Sequence, residues 1–160
     1  MPRASLPILA ILLLTLAPQD AKAEVVGAAK VAYGDLLEVA GQSFRLAGID
    51  APEPGQTCKL KDRSYDCGRI SATALMDLTA GVSVRCVPLD ETPAEGPARA
   101  LCYAGDYDLS EGMVYTGWAL ADPVAGKRYR RIQEGAKKAK RGLWRGEFLP
   151  PWEWRQRQQD

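Results

Sequence analysis

The stretch "GDLLEVAGQSFRLAGIDAPE", residues 34–53, decides the fold because it holds two β-type runs around a short turn. The runs "LLEV" and "SFRLAGI" flank "AGQ", which is typical of a β-hairpin. If the turn centres near Gly41, the numbers of paired residues add to about 82. Asp35 then faces Ala47, and Arg45 is its diagonal neighbour on the same face of the sheet. The hairpin is therefore predicted to bring an acid and an arginine together.

Two further acids follow the second run of the hairpin. Asp50 lies just past the predicted strand end, and Glu53 follows in a stretch bent by Pro52. Two carboxylates and a backbone carbonyl make a hard oxygen site that suits Ca²⁺. A third carboxylate can act as a general base, and an arginine can clamp a phosphate. From the residues alone, a surface cluster of salt bridges is an equal alternative.

The rest of the chain predicts an α+β domain. "KVAY", "VSVRCVPL" and "ARALCYA" read as further strands, whereas "RISATALMDLTAG", "DLSEGMVYTG" and "KRYRRIQEGAKKAKRG" read as helices. Five short strands with about three helices suit a Greek-key β-barrel of the OB type. The aromatic, Pro-rich segment "LWRGEFLPPWEWR" is expected to pack back on the domain.

The N-terminal residues indicate export. A basic residue, an apolar run over residues 6–16 and "AKA" at residues 21–23 predict a secretory signal peptide over residues 1–23. The alternatives are an uncleaved anchor and a lipoprotein, and the second is disfavoured because no cysteine lies near the cleavage point. We expect one domain over residues 24–155 and a polar tail over residues 156–160. The mature protein is predicted to be periplasmic or secreted, monomeric and not bound to a membrane.

The cysteine and histidine counts restrict the chemistry. Four cysteines behind a signal peptide imply disulfides, for which three connectivities are possible. We favour Cys58 with Cys67 and Cys86 with Cys102, because each pair closes a short loop. The spacing disfavours a four-cysteine zinc site. The chain has no histidine, which excludes histidine general bases and histidine-ligated zinc.

The charges are distributed unevenly along the chain. Residues 127–160 contain eleven basic and four acidic side chains, whereas residues 24–126 contain eight basic and fifteen acidic ones. A basic segment can face phosphate, but a solvated helix face explains the same charges.

Several motifs resemble the staphylococcal nuclease (thermonuclease) family, in particular its secreted bacterial members with cysteine pairs. They are "GDLLEVAGQSFRLAGIDAPEPGQTC", "YDCG", "YAGDYDL", "MVYTGWAL", "RGLWRGEF" and "PWEWR". The likeness extends over about residues 25–155, and "RLAGIDAPE" is its most specific piece. The resemblance implies an OB-fold barrel and Ca²⁺-dependent phosphodiester hydrolysis of DNA and RNA.

The resemblance also implies roles for individual residues. Asp35 and Asp50 match the calcium-ligand carboxylates, and Ala51 would add its backbone carbonyl. Glu53 matches the proposed base that activates water, and Arg45 matches one of two phosphate-binding arginines. The metal and the arginines would offset the negative charge that grows on the phosphoryl oxygens.

The metal side departs from the family pattern at two positions. The family usually has Asp-Gly-Asp-Thr where this chain has "YGDL", so Tyr33 replaces an acid and Leu36 replaces a threonine. Fewer negative and polar groups around the ion predict weaker calcium binding.

The phosphate side departs further. Pro97 stands where the second phosphate-binding arginine is expected, and proline offers no charge to an oxyanion. Arg99 is two residues further on, and in a strand it would share a face with Pro97. Arg99 is therefore a candidate substitute. The favoured alternative is that Arg99 is only a surface residue of the strand. Asp122 stands where an aromatic residue is common, and an acid there would repel phosphate.

Two hypotheses follow. The first is a Ca²⁺-dependent nuclease of reduced activity, which "RLAGIDAPE" and Asp35 favour. The second is a catalytically impaired homologue that binds nucleic acid or a protein, which Pro97, Tyr33, Leu36 and Asp122 favour.

Overall fold

The computed structural model describes residues 23–89, 96–123 and 127–159. The described residues form ten strands: β1 (Val25–Tyr33), β2 (Leu36–Val39), β3 (Gln42–Leu46), β4 (Ile49–Asp50), β5 (Thr57–Leu60), β6 (Arg63–Asp66), β7 (Ser83–Pro88), β8 (Ala98–Ala104), β9 (Tyr107–Asp108) and β10 (Leu120–Ala121). The described helices are α1 (Cys67–Thr79), α2 (Leu109–Thr116), α3 (Lys127–Lys138) and α4 (Pro151–Arg157), with a 3₁₀ turn over Gly142–Arg145.

Five of these strands close into a barrel. Strand β1 pairs antiparallel with β2 and β7, β2 pairs with β3, and β7 pairs with β8. The parallel pairing of β3 with β8 closes the ring. This confirms the predicted five-stranded α+β barrel of the OB type. The described residues contain one α-helix more than the three expected, because the C-terminal segment forms α4.

The predicted register of the first hairpin is wrong by one residue. Leu36 pairs with Arg45, so the numbers of paired residues add to 81. Asp35 therefore faces Leu46, whose backbone N–H donates to the Asp35 carbonyl oxygen at 2.8 Å. Ala47 is not its partner.

The turn explains this register. Ala40 and Gly41 have φ angles of 48° and 80°, and both are in the left-handed region. Two such residues in succession are typical of the two-residue type I′ turn, whose twist matches that of a β-hairpin. The turn therefore centres between the two residues and not on Gly41.

Two of the helices begin at a capping carboxylate. Asp66 accepts a hydrogen bond from the backbone N–H of Arg69 at the start of α1. Asp108 accepts from the backbone N–H of Glu111 at the start of α2, the arrangement of a capping box. Helix α2 ends at Gly117, whose φ of 78° is the left-handed conformation expected there.

Both predicted disulfides are present. Cys58 and Cys67 close the β5–β6 hairpin, in a region that reads from sequence as a polar loop. Cys86 and Cys102 are directly paired residues of β7 and β8. All four thiols are thereby used, which excludes the four-cysteine zinc site.

The C-terminal segment packs back on the barrel, as its composition predicted. Lys59 and Glu147 exchange two backbone hydrogen bonds. The buried Gln56 side chain donates to the Leu149 carbonyl oxygen at 2.8 Å. These contacts precede α4 directly, so they fix where that helix starts.

Among the described residues, no helix has the length and apolarity needed to cross a membrane. Residues 1–22 of the predicted signal peptide lie outside the described residues.

Candidate active site

One pocket of about 420 Å³ lies at the rim of the barrel where β3, β4 and β8 meet α4. Its lining is strongly charged and includes four carboxylates and three guanidinium groups. These belong to Asp35, Asp50, Glu53 and Asp122, and to Arg45, Arg99 and Arg155. The structure thus brings together the predicted acids and both predicted arginines.

Asp35 is the most buried of these acids, with 3% of its surface exposed. Arg45 Nη1 donates to Asp35 Oδ2 at 2.6 Å. Burial raises the pKa of Asp35 to about 6, Arg45 opposes this rise, and the neighbouring Asp50 and Glu53 add to it. The raised pKa means that the folded protein holds a proton on Asp35 more tightly than the unfolded chain does.

The turn that carries Asp35 is packed without spare room. A Cβ atom on Gly34 would lie 1.9 Å from Ser71 Oγ and 2.9 Å from Ala51 Cβ. Ser71 belongs to α1, and its hydroxyl donates to the Trp118 carbonyl oxygen. Gly34 is therefore required where the Asp35 turn meets Ala51, the residue predicted to offer a carbonyl.

The loop that carries Glu53 is fixed by two contacts. The Glu53 N–H donates to Gln56 Oε1 at 3.0 Å. A Cβ atom on Gly68 would lie 2.0 Å from the Glu53 carbonyl oxygen, so the start of α1 packs directly on this loop. Both contacts hold the backbone of Glu53 and leave its carboxylate directed into the pocket.

Arg155 is a site residue that the sequence reading missed. It donates to Asp50 through both ends of its guanidinium, Nη1 to Oδ1 at 2.9 Å and Nη2 to Oδ2 at 2.7 Å. Nη1 also donates to Glu53 Oε1 at 2.5 Å. These hydrogen bonds raise the pKa of Arg155 above its ordinary value, and those to Asp50 contribute most. The signal in the sequence that could have found Arg155 is its place in "PWEWR", a segment expected to pack back on the domain.

The β8 side of the pocket carries Arg99. It is the register partner of Arg45 in the parallel pair that closes the barrel. Its neighbours Ala98 and Ala100 are buried, so Arg99 faces away from the core, as does Pro97. Arg99 lines the pocket, whereas Pro97 is absent from the lining among the described residues.

Asp122 also reaches this pocket from the end of β10. Its backbone N–H donates to the Gly48 carbonyl oxygen at 3.0 Å. It adds a negative charge to the lining, as the sequence suggested. Tyr33 and Leu36, the replaced positions near the predicted metal ligands, are not among the described lining residues.

The donor set suits Ca²⁺ in its chemistry. Asp35 and Asp50 supply hard carboxylate oxygens, and water can complete the coordination shell of such an ion. In the present arrangement both carboxylates bind arginines, and Asp50 has both oxygens engaged. Among the described residues, no group of three or more acidic or cysteine side chains is arranged to hold a metal. The donor chemistry therefore fits the ion, and Arg155 competes with it for Asp50.

Comparison with known proteins gives consistent matches. The family model of the staphylococcal nuclease homologue matches residues 43–146. The chain is also similar to the succinoglycan biosynthesis protein ExoI of Rhizobium meliloti (strain 1021). The two are 34% identical over 147 residues, which cover 88% of this chain and 74% of the relative.

Proposed function

The chain belongs to the family of staphylococcal nuclease homologues, and we propose that it hydrolyses phosphodiester bonds of DNA or RNA with Ca²⁺ as cofactor. The observation that carries the proposal is the convergence of Asp35, Arg45, Asp50 and Glu53 on one pocket. Such a set supplies the ligands, the anion-binding group and the base that the reaction needs.

The chemistry divides among these residues as follows. Arg45 binds the phosphoryl oxygens, and Arg99 approaches them from the neighbouring strand. Glu53 accepts a proton from water while the water oxygen bonds to phosphorus. The bond from phosphorus to the leaving oxygen breaks, and solvent protonates that oxygen. A calcium ion bound at Asp35 and Asp50 would supply positive charge to the transition state.

The replacement of the second phosphate-binding arginine by Pro97 supports a reduced rate of hydrolysis. A missing donor to a developing oxyanion lowers the rate by about 10²–10³. Pro97 supplies none, and Arg99 is displaced by two residues along β8, about 6–7 Å in a strand.

A DNA digestion assay with Ca²⁺ against EDTA tests this function, with Glu53→Gln as the critical variant. We expect cleavage with Ca²⁺ only, reduced by about 10²–10⁴ in the variant because the base is lost. Glu147→Gln is the matched control, because this glutamate is exposed and lies outside the described pocket lining. Cleavage that depends on neither Ca²⁺ nor Glu53 would contradict the proposal.

A second function is a binding module without catalysis. It is favoured by the pairing of Arg155 with Asp50 and Glu53, which occupies a predicted ligand and the predicted base together. It predicts that labelled single-stranded DNA binds in EDTA and is not cleaved when Ca²⁺ is added. Since the name of the relative refers to succinoglycan biosynthesis, the assay should include succinoglycan as a further substrate.

We also propose that the protein works in the periplasm or outside the cell. The predicted signal peptide and the two disulfides support this location, because disulfides persist in oxidising compartments. Fractionation of producing cells, followed by a thiol count on the unreduced protein, tests it.

A further inference from the structure

Arg155 reaches the acidic side of the pocket from an element far away in sequence. It lies 105 residues from Asp50, on a helix that begins at the buried Pro151. Its two parallel hydrogen bonds match the fork of the guanidinium to the two carboxylate oxygens of Asp50. This is the strongest geometry that an arginine and a carboxylate form.

The helix that carries Arg155 is anchored to the loop that carries Glu53. Gln56 joins them directly, because its side chain accepts from the Glu53 N–H and donates to the Leu149 carbonyl oxygen. The backbone bonds between Lys59 and Glu147 add a second connection. Arg155 is thus held beside the two carboxylates by the fold itself and not by one ion pair alone.

A guanidinium on both oxygens of Asp50 competes with a cation for the same carboxylate, because the two positive charges repel and both use its oxygen lone pairs. We propose that Arg155 is an internal counter-ion that competes with Ca²⁺ for Asp50 and so weakens binding of the ion there. This inference rests on the calcium-binding part of the proposed function. The Arg155 side chain is 41% exposed, so it can turn into solvent without unpacking α4.

Calorimetric titration with Ca²⁺ tests the proposal on the wild type, Arg155→Gln and Arg157→Gln. Arg157 is the matched control, because it is exposed on the same helix and its replacement removes the same charge. We expect Arg155→Gln to bind Ca²⁺ about tenfold more tightly than the wild type, since a competing charged hydrogen bond is lost. Arg157→Gln should bind as the wild type does.

Thermal unfolding gives a second measurement that does not depend on activity. In EDTA, Arg155→Gln should unfold at a lower temperature than the wild type, because Asp50 and Glu53 lose their counter-ion. Added Ca²⁺ should then raise its unfolding temperature by more than it raises that of the wild type. Arg155→Lys, which keeps the charge but cannot form the fork, should lie between the two.

Equal or weaker Ca²⁺ binding by Arg155→Gln would overturn the inference, as would the absence of binding in all the variants. Absent binding would remove calcium from the proposed function as well. Tighter binding by Arg155→Gln without DNA cleavage would support the inference and reject only the nuclease function.

Discussion

The two sides of the pocket are assembled in different ways. The 45–53 side takes Arg45, Asp50 and Glu53 from one continuous stretch that follows the hairpin turn. The β8–α4 side takes Arg99 and Arg155 from elements that meet only when the barrel closes and the C-terminal segment docks. Short-range sequence patterns therefore describe the first side well, whereas the content of the second side depends on tertiary contacts.

The largest effect should come from the 45–53 side. Arg45→Ala removes the arginine predicted to bind phosphate, so we expect DNA cleavage to fall by about 10²–10³. Arg85→Ala is the control, since Arg85 lies on β7, pairs with Glu24 and is outside the described pocket lining. Initial rates with Ca²⁺ measure the effect, and a loss below tenfold for Arg45→Ala would show that this side is not the phosphate clamp.

The buried acid of the pocket predicts a pH dependence of stability. The folded pKa of Asp35, about 6, lies above its ordinary value of 3.8, so its contribution to stability is full below 3.8 and is lost as the pH rises through 6. Relative to Asp35→Asn, the wild type should lose about 2 kcal/mol in free energy of unfolding between pH 4 and pH 7.

Urea denaturation of both proteins in EDTA measures this difference. Carboxylates common to the two proteins cancel in the comparison, so the remaining slope reports on position 35. A wild type that gains stability over this pH range relative to the variant would reverse the sign and contradict the burial argument.

The two disulfides are expected to stabilise the fold equally, but only one of them supports the Glu53 loop. Replacing Cys58 and Cys67 by Ser should lower the free energy of unfolding by about 3 kcal/mol, and replacing Cys86 and Cys102 by a similar amount. Only the first change adjoins the Glu53 loop, through the contact of Gly68. We expect cleavage to fall in the first double variant and to persist in the second, at a temperature where both are folded. Equal activities would show that the hairpin does not support Glu53.

The smallest effect should come from the β8–α4 side. Arg99→Ala removes a guanidinium on an exposed strand residue, so we expect cleavage to fall by about two- to fivefold. The measurement is kcat and KM on a short DNA substrate. A loss as large as that of Arg45→Ala would instead make Arg99 the replacement for the missing arginine, and the two sides would then be equivalent.

The features that the sequence predicts correctly, and those that it does not, follow the same division between local and tertiary contacts. The two strands of the first hairpin, helix α2 and the short cysteine loops are local features, and the structure confirms them. The register of the hairpin was wrong because Ala40, a residue without a glycine's freedom, adopts a left-handed conformation. Arg155 was missed because no spacing rule links it to Asp50 across 105 residues.

The buried Gln56 has a consequence for the speed of ion exchange. Its hydrogen bonds join the Glu53 loop to the segment before α4, so the loop and the start of the helix are tied to each other. Departure of Arg155 from Asp50 then requires its charged hydrogen bonds to break and one long side chain to rotate, without movement of the helix. Undocking of the helix would be far slower. Calcium association in stopped-flow measurements should accordingly lack the slow phase that undocking of the helix would produce.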